Sequence, residues 1–223
     1  MDSCDLQDRA ICPTFETLPT EIDLVLNPEE WPARGRFLMV QVLSVERIGD
    51  YRACIRVFDK DHIQFDVALE FHDQGVEAWK FPIHNIQITS TLIIRDAALS
   101  QLATGELGVN VPSAKKLKII PYTMGYLLRT SKRLLTTRTP QDEDNACFTC
   151  QKTKGARGEK LARCDGCSLF YFCNKICQMR SLTYKWHCLE CEILQDKDLA
   201  AMFTGYWDDV REFSSPTLVQ NDQ

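Results

Sequence analysis

Apolar and polar positions change rhythm several times along this chain. Up to residue 30, apolar residues are scattered among acids and prolines. Asp2, Asp5, Asp8, Glu16, Glu21, Asp23, Glu29 and Glu30 stand against the single cation Arg9, with Pro13, Pro19 and Pro28 between them. That mixture predicts an acidic, mostly irregular arm with a short helix or strand near residues 22–26. From Gly35 the rhythm becomes that of strands. Phe37 to Leu43 is apolar except for Gln41, and Tyr51 to Phe58 follows Gly49-Asp50, which reads as a hairpin turn. Ile63, Phe65, Val67, Leu69 and Phe71 then alternate with Gln64, Asp66, Ala68 and Glu70. Strict period two over that length predicts a half-buried strand.

Thr91–Arg95 and Leu117–Ile120 bring the expected strands to five. Five short strands in so short a stretch predict a small closed or partly open barrel of the oligonucleotide/oligosaccharide-binding (OB) type. Beyond Cys191, Leu194, Leu199, Met202, Phe203, Trp207 and Val210 fall as the apolar points of a helix, and the last ten residues should fray. The expected organisation is an acidic arm over 1–30, a barrel-like domain over 31–130, a linker over 131–146, a cysteine-rich module over 147–191, and a helix with tail over 192–223.

Composition narrows the class. With 223 residues, 44% hydrophobic and 26% charged, and only 10 Gly and 9 Pro, the chain is neither collagen-like nor wholly disordered. No apolar run is long enough for a membrane-spanning helix, and the acidic start lacks the basic and apolar regions of a secretory signal. An intracellular protein is expected. The net charge of -5 argues against a chain that coats nucleic acid. A local patch is another matter. Residues 107–141 hold no acid and carry Lys115, Lys116, Lys118, Arg129, Lys132, Arg133 and Arg138. With Tyr51, Phe65 and Trp79 as stacking rings, an OB-like barrel carrying this run would bind single-stranded nucleic acid, which is the alternative function.

The cysteines speak most clearly. Of eleven, eight lie between 147 and 191, in the order C-x2-C-x13-C-x2-C-x5-C-x3-C-x9-H-x3-C through His187, with Cys188 as the extra one. In a chain without an export signal, such pairs point to metal rather than disulfides. Two thiolates separated by two residues in a tight turn can both reach one ion at about 2.3 Å. The pairs Cys173/Cys177 and His187/Cys191 are four apart, hence on one face of a helix. Four pairs supply eight ligands, enough for two tetrahedral Zn²⁺ ions with no open position, so the sites are structural. Sulfur and imidazole suit zinc better than magnesium or calcium. An iron–sulfur cluster is the rival, though it needs only four cysteines and makes no call on His187.

This segment resembles the MYND-type zinc finger. The matching stretches are C147-F-T-C150, C164-D-G-C167, F170-Y171-F172-C173-N-K-I-C177-Q178 and H187-C-L-E-C191. Tyr184 stands where the family carries a Trp, and Trp186 abuts the histidine. The resemblance implies a cross-braced fold with short helices. Cys147, Cys150, Cys173 and Cys177 would hold one zinc, and Cys164, Cys167, His187 and Cys191 the other. Cys188, which forms a C-x2-C pair with Cys191, competes with His187 for the eighth position, with His187 favoured. The resemblance also implies a module that docks proline-containing segments of partner proteins, at Gln178, Tyr184 and Trp186, in a regulator of transcription. By the same habit the nucleus is favoured over the cytoplasm. Packing around the metal is the plainer role for Tyr184 and Trp186. The runs T91-L-I-I-R-D-A and G105-E-L-G-V-N-V-P-S-A resemble a region of fungal MYND-containing proteins. Some of those carry a SET methyltransferase domain, whose Asn-His-Ser-Cys motif does not occur here.

Nothing in the sequence predicts an enzyme. His62, His72 and His84 stand singly, and there is no G-x-S-x-G, P-loop or G-x-G-x-x-G.

Overall fold

The structure, a computed structural model, describes residues 5–26, 37–48, 52–71, 83–137, 145–155, 157–184, 187–206, 210 and 212–217. The chain divides into two compact units. One comprises Gln7–Leu127 and Val210–Val219; the other comprises Met1–Leu6, Leu128–Asp209 and Gln220–Gln223.

The first unit is a seven-stranded sheet: β1 (Phe37–Arg47), β2 (Arg52–Phe58), β3 (Gln64–Glu70), β4 (Thr91–Arg95), β5 (Leu99–Gln101), β6 (Leu107–Val111) and β7 (Leu117–Ile120), in the order β5-β6-β3-β2-β1-β4-β7. The five-stranded barrel expected from the sequence is thereby corrected. Two further strands join the sheet, and its ladder runs from β5 to β7 without closing among the described residues. The two were hidden for physical reasons. Leu99-Ser100-Gln101 is too short and polar to read as a strand, and Leu107–Val111 carries Gly108 and Asn110. That glycine has a cause. A Cβ there would lie 2.5 Å from the Asp66 carbonyl oxygen of β3 and 2.4 Å from Leu102 Cδ1, so only glycine lets β6 pair with β3.

β1 is the organising strand. Phe37–Gln41 pairs with β4 and Gln41–Arg47 with β2, with a register shift between Val42 and Ser44. Such a shift bends a strand. The alternating residues of β2 and β3, Ala53, Ile55, Val57 and Phe65, Val67, Leu69, are buried in one cluster with Leu38, Val40, Leu92, Ile94, Val109 and Ile119. β5 follows β4 after only residues 96–98 yet stands five places from it in the strand order, farther than three residues can reach across a flat sheet, so the sheet curls round its core. Burial of β4, β7 and the Phe37–Val42 half of β1 is nearly continuous, because Phe37, Met39, Ile93 and Ile120 are covered on the opposite face as well.

Both edges are protected. The Leu99 N–H of β5 donates to the Pro19 carbonyl, and the Ile119 N–H of β7 donates to the Pro216 carbonyl. The acidic arm is therefore not free. Cys12, Thr14 and Leu18 are buried, and the buried Asp59 carboxylate accepts from the N–H of Phe15 at 2.8 Å. A short helix α1 (Glu21–Leu26) forms where the apolar pattern allowed one, closed at its start by reciprocal Thr20–Asp23 bonds. The Gly49-Asp50 turn lies outside the described residues, as do Tyr51, His72 and Trp79 and the side chain of His84. His62 occupies a tight turn at φ 64° and stacks on Phe58.

Helix α2 (Met124–Thr137) spans the division between the units. Residues 131–137, expected as linker, are its C-terminal half. The second unit continues with a small hairpin of β8 (Ala162–Arg163) and β9 (Tyr171–Phe172), then α3 (Lys175–Tyr184), α4 (His187–Gln195) and α5 (Lys197–Thr204). The helix expected after Cys191 is in fact two. Asp196 ends α4 and caps α5, accepting from the N–H groups of Asp198 and Leu199, and Gly205 at φ 81° stops α5.

Candidate metal centres

Two local turns repeat. In Cys147–Gln151 and in Cys164–Ser168, the fifth residue donates its N–H to the carbonyl of the first, at 2.8 and 3.0 Å. Each fifth residue is left-handed, Gln151 at φ 62° and Ser168 at φ 57°. This knuckle turns both cysteines of a pair toward one point. The third pair sits at the start of α3, where Asn174 Oδ1 accepts from the Cys177 N–H at 2.8 Å. The fourth lies on the first turns of α4, one helical turn apart.

The fold interleaves these pairs. Cys147, Cys150, Cys173 and Cys177 form one group, and Cys164, Cys167, His187 and Cys191 the other, with all ligand atoms of a group within 4.8 Å of one another. Cys150 and Cys173 Sγ are 3.6 Å apart, Cys173 and Cys177 Sγ 3.4 Å, and Cys164 and Cys191 Sγ 3.7 Å. These separations are far too long for disulfides. They approximate the edge of about 3.8 Å expected for a tetrahedron with metal–sulfur bonds of about 2.3 Å. Each group is sized for one ion and can hold a metal. His187 contributes Nε2, 3.2 Å from Cys164 Sγ and 4.0 Å from Cys167 Sγ. Cys188 is exposed and belongs to neither group.

Proton affinities within the groups show why a cation belongs there. Burial raises the Cys147 thiol, but the N–H groups of Cys150, Cys173 and Thr149 outweigh it and bring the pKa to about 7. Hydrogen bonds from the Cys167 and Cys191 thiols hold Cys164 well below the usual thiol range, and the same contact with Cys164 pushes Cys167 up. Burial pushes Cys173 and Cys177 up. At His187 burial acts downward, yet Cys164, Cys191 and Glu190 beside the ring raise its pKa to about 11. One thiol in each group thus ionises readily while others keep their protons. A full set of thiolates can converge only around positive charge.

Around the second group lies a small aromatic core. Phe148, Phe170 and Phe172 surround the His187 ring, with centroids 5.4, 4.9 and 5.5 Å away. Thr149 Oγ1 donates to the Cys177 carbonyl, tying the first knuckle to α3.

The residues expected to bind a partner fare differently. Gln178 turns toward the second knuckle, its Nε2 3.5 Å from Asp165 Oδ2 and 4.0 Å from Cys164 Sγ. Trp186 and the side chain of Tyr184 lie outside the described residues. Sequence reading passed over three others. Ile176, Met179 and Leu182 form an apolar stripe on α3, 63%, 60% and 40% exposed. Their three-residue spacing was the available signal. Glu190, three residues after His187, was missed for the same reason.

Part of the basic run is paired or buried. Lys115 pairs with Glu212 at 2.8 Å, Lys116 lies 3.9 Å from Asp96, Lys118 is fully buried, and Arg133 pairs with Glu190, whereas Arg129 and Lys132 are exposed and Arg138 lies outside the described residues. Phe65 is buried and stacked on Phe15 at 4.2 Å, so it offers no ring to a base.

No protein-family model matches the chain, and no curated protein matches it.

The eighth ligand can be checked directly. His187→Ala should leave one metal ion per chain by native mass spectrometry, whereas Cys188→Ala should leave two. The reverse result would make Cys188 the ligand.

Proposed function

We propose that this chain is a zinc-binding, non-enzymatic adaptor whose MYND-type finger docks a proline-containing segment of a partner protein. Zinc is the metal that closed sets of four thiolates, or three with one imidazole, accommodate best. The thiols require a reducing compartment, hence an intracellular setting. Among the described residues no helix is long and apolar enough to cross a membrane.

The observation that carries the reading is the stripe of Ile176, Met179 and Leu182. α3 supplies Cys177 to the first metal group from its inner side, so the stripe is held on a braced helix. An exposed apolar strip on so rigid a support is a feature of interaction sites. A polyproline segment suits it, because such a segment is already ordered and loses little entropy on docking. Gln178 is assigned here to the support of the second knuckle rather than to the partner. For the N-terminal unit we propose a curled sheet of OB-like descent. Between β4 and β5 the chain needs only residues 96–98 to pass from the neighbour of β1 to the neighbour of β6. Fold alone assigns it no ligand.

The test uses the full chain and a panel of fluorescent proline-containing peptides. Binding should disappear in an Ile176→Asp, Met179→Asp variant that retains two metal ions, and also on chelation. Peptide binding unchanged by that variant would sink the adaptor reading. Tight, steeply salt-dependent binding of a generic oligonucleotide would favour nucleic acid instead.

A further inference from the structure

The second metal group contains a fully buried acid that does not belong to its ligand set. Glu190 lies one turn after His187 on α4, and both side chains are fully buried. A small unit gains nothing from an unpaired buried carboxylate, whose desolvation is costly. This one is flanked on both sides. Its Oε1 accepts from Arg133, which reaches in from α2. Its Oε2 lies 3.7 Å from His187 Nδ1, and neither of those two atoms has a hydrogen-bond partner among the described residues.

The geometry points to Glu190 as the positioning residue for the histidine ligand, with Arg133 holding the carboxylate in place from α2. His187 turns Nε2 toward Cys164 and Cys167, so a metal there leaves Nδ1 as the protonated nitrogen on the far side of the ring. An N–H at that position needs an acceptor, and Glu190 Oε2 is the group facing it. A carboxylate on the second nitrogen fixes tautomer and ring orientation and makes the ligand nitrogen more basic. Helix α2 lies outside the cysteine-rich segment. Its Arg133 therefore ties the second metal to a part of the chain with no ligand of its own. The first group has no counterpart among the described residues: its four candidate ligands are thiols, with no imidazole whose second nitrogen would need an acceptor. The brace is specific to one site.

The inference rests on the zinc reading above, and the experiment separates the two. In the zinc-loaded full chain, long-range ¹H–¹⁵N correlation should show His187 bound through Nε2 and protonated at Nδ1, with a slowly exchanging, downfield Nδ1 proton. A histidine bound through Nδ1, or an Nδ1 proton in fast exchange with water, would overturn the proposal without any variant. Competition with a chromophoric chelator should then resolve two release steps. Glu190→Gln should weaken one of them by about 10–100-fold and leave the other unchanged, with the Nδ1 proton signal shifted upfield. Arg133→Gln should act in the same direction. If Glu190 merely joins α2 to α4, Glu190→Gln will lower the melting temperature while both release steps and the Nδ1 signal stay as they were, and the proposal fails. A wild-type chain that takes up no zinc would instead overturn the metal reading itself.

Discussion

Chelation of the metal should unfold the cysteine-rich segment and leave the seven-stranded sheet standing. The sheet has its own core, with Leu38, Val40, Ile55, Val67, Leu92 and Ile119 among some twenty buried residues in one cluster. Around the two knuckles and α3 the buried apolar side chains are chiefly Phe148, Phe170, Tyr171 and Phe172, while Ile193, Leu194, Leu199, Met202 and Phe203 are buried farther along, on α4 and α5. So few side chains cannot offset the entropy of ordering the knuckles and α3. Structural zinc contributes apparent binding energies of roughly 10–16 kcal/mol in small fingers, as large as the whole stability of an ordinary domain. Hydrogen exchange read by mass spectrometry makes the comparison within one molecule. Amides of residues 145–194 should lose protection in chelator, and those of β1–β4 should keep it. Protection retained over 145–194 would show that the segment folds without metal.

Acid should act in the same direction. Cys167 and Cys173 hold their protons more tightly than an ordinary thiol, and His187 is raised to about 11. Metal must displace those protons to bind. Apparent affinity therefore rises with pH across the neutral range, and metal is released as pH falls.

The two Cys/His groups that can hold a metal were legible in the sequence because ligand chemistry dictates residue type and spacing whatever surrounds them. β3 was legible for a similar reason, since one buried face forces strict alternation from Phe65 to Leu69. The charges were not. The run from Lys115 to Arg133 reads as a basic surface until its partners are known. Glu212 lies 97 residues from Lys115, and Glu190 lies 57 from Arg133. No local pattern encodes pairings at such separations. The arm misled in the same way, because its acids suggest solvent while Cys12, Thr14 and Leu18 are buried. β5 was obscured by its length, and β6 by residues that make sense only beside β3. Gln178, half-buried, places its Nε2 3.5 Å from Asp165 Oδ2 in the second knuckle, a contact that no local sequence pattern announces.

Gly166→Ala should remove one metal ion from the chain and leave the other. Gly166 lies between Cys164 and Cys167 in the second knuckle, where the backbone passes close to α4. A Cβ there would stand 2.6 Å from Cys191 Sγ and 3.2 Å from Gln195 Nε2. Gln195 can swing aside. Cys191 cannot, because its sulfur is one of the four ligand atoms of this group, and Gln195 Nε2 already lies 3.5 Å from it. Relief must come from moving the knuckle, which carries Cys164 and Cys167 away from His187. No such strain reaches the first group, whose ligands all lie outside this turn. Native mass spectrometry should count one ion where the unaltered chain is expected to hold two, with the near-ultraviolet signal of the phenylalanine core reduced. Gly158→Ala is the matched comparison. Gly158 is left-handed at φ 81° with nothing within 4 Å of a new Cβ, so the change costs about 1–2 kcal/mol of backbone strain and no ligand. Two ions retained in Gly158→Ala and one in Gly166→Ala would separate backbone strain from ligand displacement. Two ions retained in both would mean that the knuckle does not approach Cys191 as closely as 2.6 Å implies.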